Sequence, residues 1–418
     1  MIDLKTLKVA WFLGYRQIKR ASVWTNVLII IIMVLTFLNL VVVSGLLVGL
    51  IEGAVAANKK YYTGDIIISK LKENNSIQNS REIISTIENT PGIKSFSPRY
   101  LVSGLVEANY RNRTNFDDVA EEVGVIITGI NPDREDQVTG IASLVIEGEF
   151  LEPDDFDKVI VGALMLEKYL DINSPGFLVL RNVEIGSKIR LKIGNSVREV
   201  TVKGITKGKV DETDRRIFMN DVQLRSMMDR NDLNVGEIAI LVDSKHNPET
   251  VRDILINNGL DKFAQIQTFE DAQPKFLLDI KRTFTLLGTI ISSIGLAVAA
   301  ITVFIVIFIN AITRRKYIGI MKAIGVNGKV IELAYVFQSL IYAIVGSIVG
   351  LFLVYFLLIP YFDNNPINFP FSDGILVAPA LITTIRVFIL IIVTALAGYI
   401  PARIIVSKNT LDSILGRK

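Results

Sequence analysis

The 418-residue sequence predicts a membrane protein with four transmembrane α-helices and a large α+β domain between the first two helices. Three observations lead to this fold class. Four segments are long and almost free of charge, and most charged residues lie between the first and second of them. Within that charged block, strand-like and helix-like patterns alternate, which is typical of a folded water-facing domain rather than of a linker.

The four apolar segments each provide the roughly 20 residues that cross about 30 Å of hydrocarbon. Residues 26–51, 283–313 and 333–360 contain no charged side chain, and residues 380–402 contain one, Arg386. An intramembrane charge is costly, so the guanidinium either snorkels to the nearby interface or makes a polar contact inside the helix bundle. The sequence leaves both placements open.

The charges are sorted between the segments. Residues 52–282 contain 30 Lys and Arg against 37 Asp and Glu, a net charge of −7, whereas the rest of the chain has a net charge of +10. Basic residues are concentrated in the N-terminal segment, in 314–332 and in the tail 403–418. By the positive-inside rule these parts are cytoplasmic, whereas the domain 52–282 and the loop 361–379 are extracytoplasmic.

The N-terminal residues 1–25 mix basic and apolar side chains at helical spacing. This pattern predicts a helix in the cytoplasmic membrane interface, with Trp11 and Tyr15 at headgroup depth. The apolar run that follows is much longer than the roughly 7–15 residues of a signal-peptide core, so we expect an uncleaved first span.

The extracytoplasmic domain is predicted as a split α/β lobe with a β-rich lobe inserted at about 116–210. The flanking elements of the α/β lobe are strands at 65–70, 93–108, 236–242 and 264–268 and helices at 80–89, 220–229 and 247–257. The predicted strands of the β-rich lobe are 123–130, 158–161, 188–193 and 197–205, with one short helix near 163–170. Helical stalks are expected at 52–62 and 270–282, next to the first and second spans.

Several kinds of chemistry are excluded by what the chain lacks. It has no cysteine and a single histidine, His246, so thiolate catalysis and zinc sites rich in Cys or His are excluded. It has no Walker A motif and no recognisable catalytic motif, and its small net charge argues against nucleic acid as a partner. We therefore predict no catalytic residue, no metal site and no cofactor in this chain. Two acidic runs are interpreted as solvated surface: Asp117, Asp118, Glu121 and Glu122, and Glu152, Asp154, Asp155 and Asp157.

The basic loop after the second span has apolar residues that a simple positive anchor does not require. It reads Arg314-Arg315-Lys316-Tyr317-Ile318-Gly319-Ile320-Met321-Lys322-Ala323-Ile324-Gly325-Val326. As a helix, it places Ile318, Met321, Lys322 and Gly325 on one face and Ile320 and Ile324 on another. A short cytoplasmic helix with exposed apolar groups is typical of a segment that docks in a groove of a protein partner.

This loop resembles the signature Arg-x-x-Glu-Ile-Gly-Ile-x-Lys/Arg-Ala-Leu/Ile-Gly of the FtsX/MacB-type ABC transporter permeases. The third span with Gly346 and Gly350 is also similar, as is the end of the fourth, Tyr399-Ile400-Pro401-Ala402-Arg403, followed by Leu411. Within this family, the outer domain most resembles the lipoprotein-releasing (LolC/LolE-like) branch. Four runs carry that resemblance: Gly129-Ile130-Asn131-Pro132-Asp133-Arg134-Glu135, Glu147-Gly148-Glu149-Phe150, Val159-Ile160-Val161-Gly162 and Val202-Lys203-Gly204-Ile205.

The resemblance implies a permease subunit, without catalytic activity of its own, in the bacterial cytoplasmic (inner) membrane. Two copies of a separate ABC ATPase would bind ATP and Mg, and the permease would pair with a second copy or a paralogue. ATP hydrolysis would move the outer domains (mechanotransmission) and act on lipoprotein, lipid, peptide or another substrate at the outer side, in contact with membrane lipid and with a periplasmic adaptor or acceptor protein. The implied ATPase-coupling residues are Arg314, Arg315, Tyr317, Ile318, Gly319, Met321, Lys322, Ala323, Ile324 and Gly325.

Two points are left open by the resemblance. Tyr317 stands where the family has Glu, so contact with the ATPase is expected to differ there. The alternative function is an FtsX-like membrane regulator that activates an extracytoplasmic cell-wall hydrolase.

Docking through the loop predicts that Gly319→Arg or Met321→Asp weakens the complex with the ATPase.

Overall fold

The structure is a computed structural model whose chain divides into two compact units. The helical unit comprises Met1–Glu52, Asp279–Asn368 and Asp373–Lys418, and the α/β unit comprises Gly53–Leu278 and Phe369–Ser372. The residues that the structure describes are 4–108, 110–111, 122–170, 178–228, 232–273, 275–369 and 372–407. Several predicted features lie outside them: Asp117, Asp118, Glu121, the start of the β-rich lobe at 116, Asp229 and the tail beyond Ser407.

The helices fall at or close to most of the predicted positions. In chain order they are α1 (Leu4–Arg20), α2 (Val23–Leu38), α3 (Ser44–Asn58), α4 (Ser80–Glu88), α5 (Pro132–Thr139), α6 (Asp211–Asp214), α7 (Asp221–Met227), α8 (Pro248–Asn257), α9 (Phe269–Ala272), α10 (Lys275–Thr313), α11 (Arg315–Ala323), α12 (Gly328–Phe352), α13 (Ile359–Asn364) and α14 (Ala380–Val406). Three π-helical segments continue α2, α3 and α12: Asn39–Val43, Lys59–Thr63 and Leu353–Leu358.

In the part of the chain that the structure describes, the strands lie between the first and second apolar helices, apart from one short pair. They are β1 (Ile66–Lys70), β2 (Ile93–Glu107), β3 (Glu122–Ile130), β4 (Val145–Gly148), β5 (Lys158–Gly162), β6 (Lys188–Ile193), β7 (Ser196–Thr206), β8 (Arg216–Asn220), β9 (Glu237–Val242), β10 (Ala264–Thr268), β11 (Ile367–Phe369) and β12 (Ser372–Gly374). The first ten form one sheet.

The predicted fold class is confirmed. Among the described residues, four helical segments are long and apolar enough to cross a membrane, and the α/β domain lies between the first and the second: Val23–Thr63, Leu277–Thr313, Gly328–Asn364 and Ala380–Val406. In the helical unit, α12 packs against α1, α2 and α14. Gly346 and Gly350 of α12 face Met33 and Phe37 of α2 so closely that an added Cβ would overlap either side chain. Small residues permit such close contact between apolar helices.

Arg386 of α14 makes the polar contact inside the helical unit that the sequence left open. Its side chain is half-buried, and Nη2 donates a hydrogen bond of 2.6 Å to Ser44 Oγ at the start of α3. The charge is therefore bonded to another helix rather than only extended toward solvent. A guanidinium in an apolar helix is expensive to place without such an acceptor.

The first part of the α/β unit is a four-stranded split βαβ arrangement. Its strand order is β10-β1-β9-β2, and β9 runs antiparallel to both of its neighbours. Helix α4 connects β1 to β2, and α8 connects β9 to β10, which is the ferredoxin-like pattern of two crossing units. The predicted split α/β lobe is therefore present, and its core contains Ile66, Ile68, Ile83, Ile238 and Ile240.

The β-rich part continues from the far end of β2 through β3, β8, β5, β7 and β4, with β6 beside β2 and β7. Strand β8 lies beyond the expected end of this lobe at 210, yet it pairs with β3 and β5. A hairpin with Gly194 and Asn195 in its turn joins β6 and β7, where Ile193 pairs with Ser196.

Two local predictions were wrong. The short helix expected near 163–170 is replaced by 3₁₀ turns at Ala163–Met165 and Glu167–Tyr169, because Leu166 forms a β-bridge with Leu180 between them. The second stalk is not one helix from 270, because Gln273 is extended and separates α9 from α10. Gln273 precedes Pro274 in the sequence, and a residue before proline disfavours the helical conformation.

Candidate functional site

The loop predicted to contact an ATPase is a short helix between two apolar helices. Only Arg314 lies between the end of α10 and the start of α11, and the Ile318 N–H donates to the Arg314 carbonyl at 3.0 Å. Gly325 ends α11 with a φ of +95°, and the Val326 N–H donates to the Met321 carbonyl at 2.9 Å. This is a glycine-dependent helix end, since other residues rarely adopt positive φ. Asn327 then caps α12 by accepting from the Lys329 N–H at 3.0 Å.

One side of α11 is attached to the rest of the helical unit. Ile318 is 2% exposed and belongs to the apolar cluster that includes Ile331, Tyr335 and Val406. Gly319 is also buried, and Met321 packs against the same cluster. Lys322 Nζ donates a 2.9 Å hydrogen bond to the Val406 carbonyl at the end of α14. Helix α11 is therefore held against α12 and α14 by apolar packing and one charged hydrogen bond.

The opposite side of α11 presents an apolar surface to solvent. Tyr317 is 68% exposed, Ile320 is 42% exposed and Ile324 is 75% exposed. Their spacing of three and four residues places them on adjacent turns of one helix face. We call Tyr317, Ile320 and Ile324 the docking face. Three bulky apolar side chains exposed on a nine-residue helix and its C-cap residue, Ile324, are more typical of a contact surface than of a free loop.

The structure divides the ten predicted coupling residues between these two sides. Ile318, Gly319, Met321 and Lys322 face the helical unit, and Arg315, Tyr317, Ala323, Ile324 and Gly325 are exposed. Arg314, partly buried, precedes the first turn. Ile320 was not among the ten, although its spacing from Tyr317 and Ile324 was a signal for it.

This division changes which substitutions test docking. Gly319→Arg and Met321→Asp place a charge against the apolar cluster, so either one perturbs the packing of α11 as well as any partner contact. Ile320→Asp and Ile324→Asp alter exposed side chains, so they test a partner contact with less effect on folding.

The acidic run at 152–157 is bonded to basic side chains. Asp155 contacts Lys158 Nζ and Lys203 Nζ, each at 2.6 Å, and Asp157 contacts Arg198 Nε at 2.5 Å. Burial opposes ionisation of Asp155, but the hydrogen bonds from both lysines outweigh it and lower the pKa of Asp155 to about 2. Among the described residues, no group of three or more acidic or histidine side chains has the arrangement of a metal site.

One part of the chain, which includes three of the apolar helices wholly or in part, matches a family model. Residues 289–410 match the family model "FtsX-like permease C-terminal", which includes α11, α12 and α14. The chain is 24% identical over 369 residues to the ABC transporter permease YtrF of Bacillus subtilis, and the match covers 78% of this chain and 81% of that protein. The docking face therefore lies inside the segment that matches the family model.

Two solved structures are similar to the α/β domain. The extracellular domain of the noncanonic ABC-type transporter YknZ from Gram-positive bacteria matches with 17% identity and a TM-score of 0.32, over 49% of this chain and 98% of that one. The periplasmic region of MacB from Actinobacillus actinomycetemcomitans matches with 14% identity and a TM-score of 0.33, over 51% of this chain and 92% of that one. The family model and the curated relative show that this chain is similar to ABC transporter permeases of the FtsX type.

Proposed function

We propose that this permease couples ATP hydrolysis in a separate ATPase subunit to movement of its extracytoplasmic α/β domain. An ABC permease works with an ATPase component, and the observation that carries the proposal for this chain is the docking face. Its apolar side chains fit a groove of a protein partner, and the basic Arg315 and Lys316 beside it are exposed.

The contacts of α11 support transmission from the ATPase into the helical unit. A force on the docking face acts on Ile318 and Lys322, which contact α12 and α14. Helix α10, which is separated from α11 by Arg314 alone, has 39 residues, so one continuous helix leads to residues of the α/β unit. The Glu52 carboxylate accepts a 2.5 Å hydrogen bond from Lys281 Nζ of α10, which connects the two chain segments that lead to that unit.

The remaining partners follow from this arrangement. Two ATPase copies that bind ATP and Mg would contact a pair of permeases, either two copies of this chain or this chain and a paralogue. The chain would lie in the bacterial cytoplasmic membrane with both termini and α11 in the cytoplasm. Its substrate class would be a lipoprotein, lipid or peptide at the outer side. Tyr317, which replaces the family Glu, would contact the ATPase through its ring rather than through a carboxylate.

Replacement of the docking face tests this function. We expect the double variant Ile320→Asp/Ile324→Asp to lose the ATPase in co-purification from mild detergent, because two carboxylates would have to be desolvated in an apolar groove. The matched control is Phe156→Asp, which makes the same kind of change at an exposed aromatic residue of the α/β unit. The measurement is the ratio of ATPase to permease recovered for each variant.

Two outcomes of that experiment contradict the proposal. One is recovery of the ATPase by the double variant at the level of the parent chain. The other is loss of the ATPase by Phe156→Asp as well, since that would show a general effect of added charge. A cell-wall hydrolase regulator would share the docking step, and a hydrolase assay on intact cells with the double variant separates it from a transporter.

A further inference from the structure

The α/β unit contains a buried cluster of charged side chains that the sequence did not reveal. Arg99 of β2 donates from Nε and Nη2 to the Glu135 carboxylate of α5 at 2.9 and 2.7 Å, and from Nη1 to Glu237 Oε1 of β9 at 2.9 Å. Arg216 Nη1 of β8 also donates to Glu237 Oε1, at 3.2 Å. We call Tyr62, Arg99, Glu135, Arg216 and Glu237 the junction cluster.

Tyr62 connects the end of the first stalk to this cluster through both its main chain and its side chain. The Tyr62 carbonyl accepts from Arg99 Nη2 at 2.7 Å. The Tyr62 hydroxyl donates to Glu237 Oε2 at 2.7 Å and accepts from Arg216 Nη2 at 3.0 Å. The guanidinium carbons of Arg99 and Arg216 lie 5.0 and 4.9 Å from the centroid of the Tyr62 ring. Tyr62 is therefore bonded to both cations and to one of the anions.

The charges of the junction cluster balance, and its carboxylates accept several hydrogen bonds. Two guanidinium groups face two carboxylates, all buried from solvent. Ser97 Oγ and Thr139 Oγ1 donate further hydrogen bonds to Glu135, at 2.7 and 3.1 Å. Burial disfavours the ionised form of Glu237, but Arg216 and Arg99 overcome this and lower the pKa of Glu237 below its usual range. The cluster is thus an ionised network in the interior of the unit.

The position of the junction cluster indicates a role beyond stability. Strand β2 pairs with β9 up to Arg99, which is opposite Glu237, and it pairs with β3 from Tyr100 onward. Arg99 therefore lies at the residue where β2 passes from the split α/β lobe into the β-rich lobe. Arg216 belongs to β8, which pairs with β3, and Tyr62 belongs to the stalk segment. Glu135 belongs to α5, which follows β3 in the chain and packs against β2 and β9. One cluster thus contacts both lobes and the stalk.

We infer that the junction cluster fixes the orientation of the two lobes and the stalk end, so that they move as one body. Well-packed apolar side chains would stabilise this position about as well as a buried ion network, whereas directed hydrogen bonds also specify geometry. The inference rests on the proposed function, because a fixed lobe orientation is what allows movement of the stalk to reach the β-rich lobe. Tyr62 is then a positioning residue for the transport cycle.

The test uses distances between spin labels, and the cysteine-free chain allows labels at chosen sites only. One pair places cysteines at exposed Arg81 of α4 and Val197 of β7, one in each lobe. The full chain in lipid nanodiscs is expected to give a single narrow distance distribution. Tyr62→Phe removes one hydroxyl from the cluster and is expected to broaden that distribution. Tyr61→Phe, the same change at the neighbouring residue outside the cluster, is expected to leave it narrow.

A second label pair separates the inference from the proposed function. Cysteines at exposed Ala56 and Arg282 report on the stalk segments. In the complex with the ATPase, nucleotide is expected to shift the stalk distance in both the parent and Tyr62→Phe. A narrow lobe distribution in Tyr62→Phe overturns the inference, even if its melting temperature falls, because the cluster would then only stabilise the fold. If nucleotide does not change the distance between the stalk labels in the parent, the proposed function is contradicted. The width of the distance distribution between the lobe labels still decides whether the junction cluster fixes the lobe orientation.

Discussion

Arg99→Met is expected to lower the free energy of unfolding of the α/β unit by about 3–5 kcal/mol, the cost of removing one partner from a buried ion pair. The substitution leaves the Glu135 carboxylate with hydroxyl donors alone, and it leaves Glu237 with one cation instead of two. Methionine fills much of the volume, so the loss is electrostatic rather than a cavity effect. Hydrogen exchange of the full chain in detergent, followed at peptides from β8 and β9, measures the change.

An exposed ion pair in the same unit provides the control for Arg99. Arg252 contacts Asp253 at 2.9 Å and Asp271 at 2.7 Å, but both carboxylates are exposed. Arg252→Met is therefore expected to cost about 1 kcal/mol or less, as surface pairs do. Arg99→Lys keeps the charge but loses the two-pronged contact with Glu135. Its loss of unfolding free energy is therefore expected to lie between those of Arg99→Met and Arg252→Met. If Arg99→Met and Arg252→Met protected the peptides of β8 and β9 equally from hydrogen exchange, the junction cluster would contribute little to stability.

Gly346→Leu is expected to prevent the normal packing of α12 against α2. A Cβ at residue 346 already overlaps the Met33 side chain, so leucine forces the helices apart along the contact that also includes Gly350 and Phe37. Overpacking of this kind costs about 1–3 kcal/mol in soluble cores and more where the backbone has to move. The measurement is the fraction of protein that elutes as a single species after detergent extraction. We expect most of it to be lost.

The matched control for Gly346 lies on the same helix. Ile348 is 61% exposed, so Ile348→Leu changes the shape of an outward-facing side chain of α12 without touching α2. It is expected to elute like the parent chain. Normal elution of Gly346→Leu would mean that α2 and α12 tolerate a greater separation than this packing indicates.

The elements of the α/β unit were largely predictable because their signals are local. Asn247-Pro248 begins α8 as expected, since the Asn247 side chain accepts from the Glu249 N–H and proline occupies the first turn. Gly194 likewise marks the hairpin between β6 and β7, with a φ of +54°. The place of β8 was not predictable, because its neighbours β3 and β5 are set by long-range pairing that no short pattern encodes.

The sites were less accessible to sequence reasoning than the fold. Helical spacing separated the residues of α11 into two apolar faces, but only packing against α12 and α14 shows that Ile318 faces inward and Ile320 outward. The junction cluster joins residues 21 to 175 positions apart. Its four charged residues look like ordinary surface charges in the sequence and Tyr62 looks like an ordinary aromatic residue, and only the pairing of β2 with β9 and β3 and of β3 with β8 brings them together.

The most direct test of coupling through α11 is the distance between labels at Ala56 and Arg282 in the permease–ATPase complex in lipid nanodiscs. Coupling predicts that the distance shifts when ATP and vanadate are added. It also predicts no shift without the ATPase and none when Ile320→Asp/Ile324→Asp is mixed with the same ATPase. An unchanged distance in a complex that demonstrably hydrolyses ATP would contradict coupling through α11.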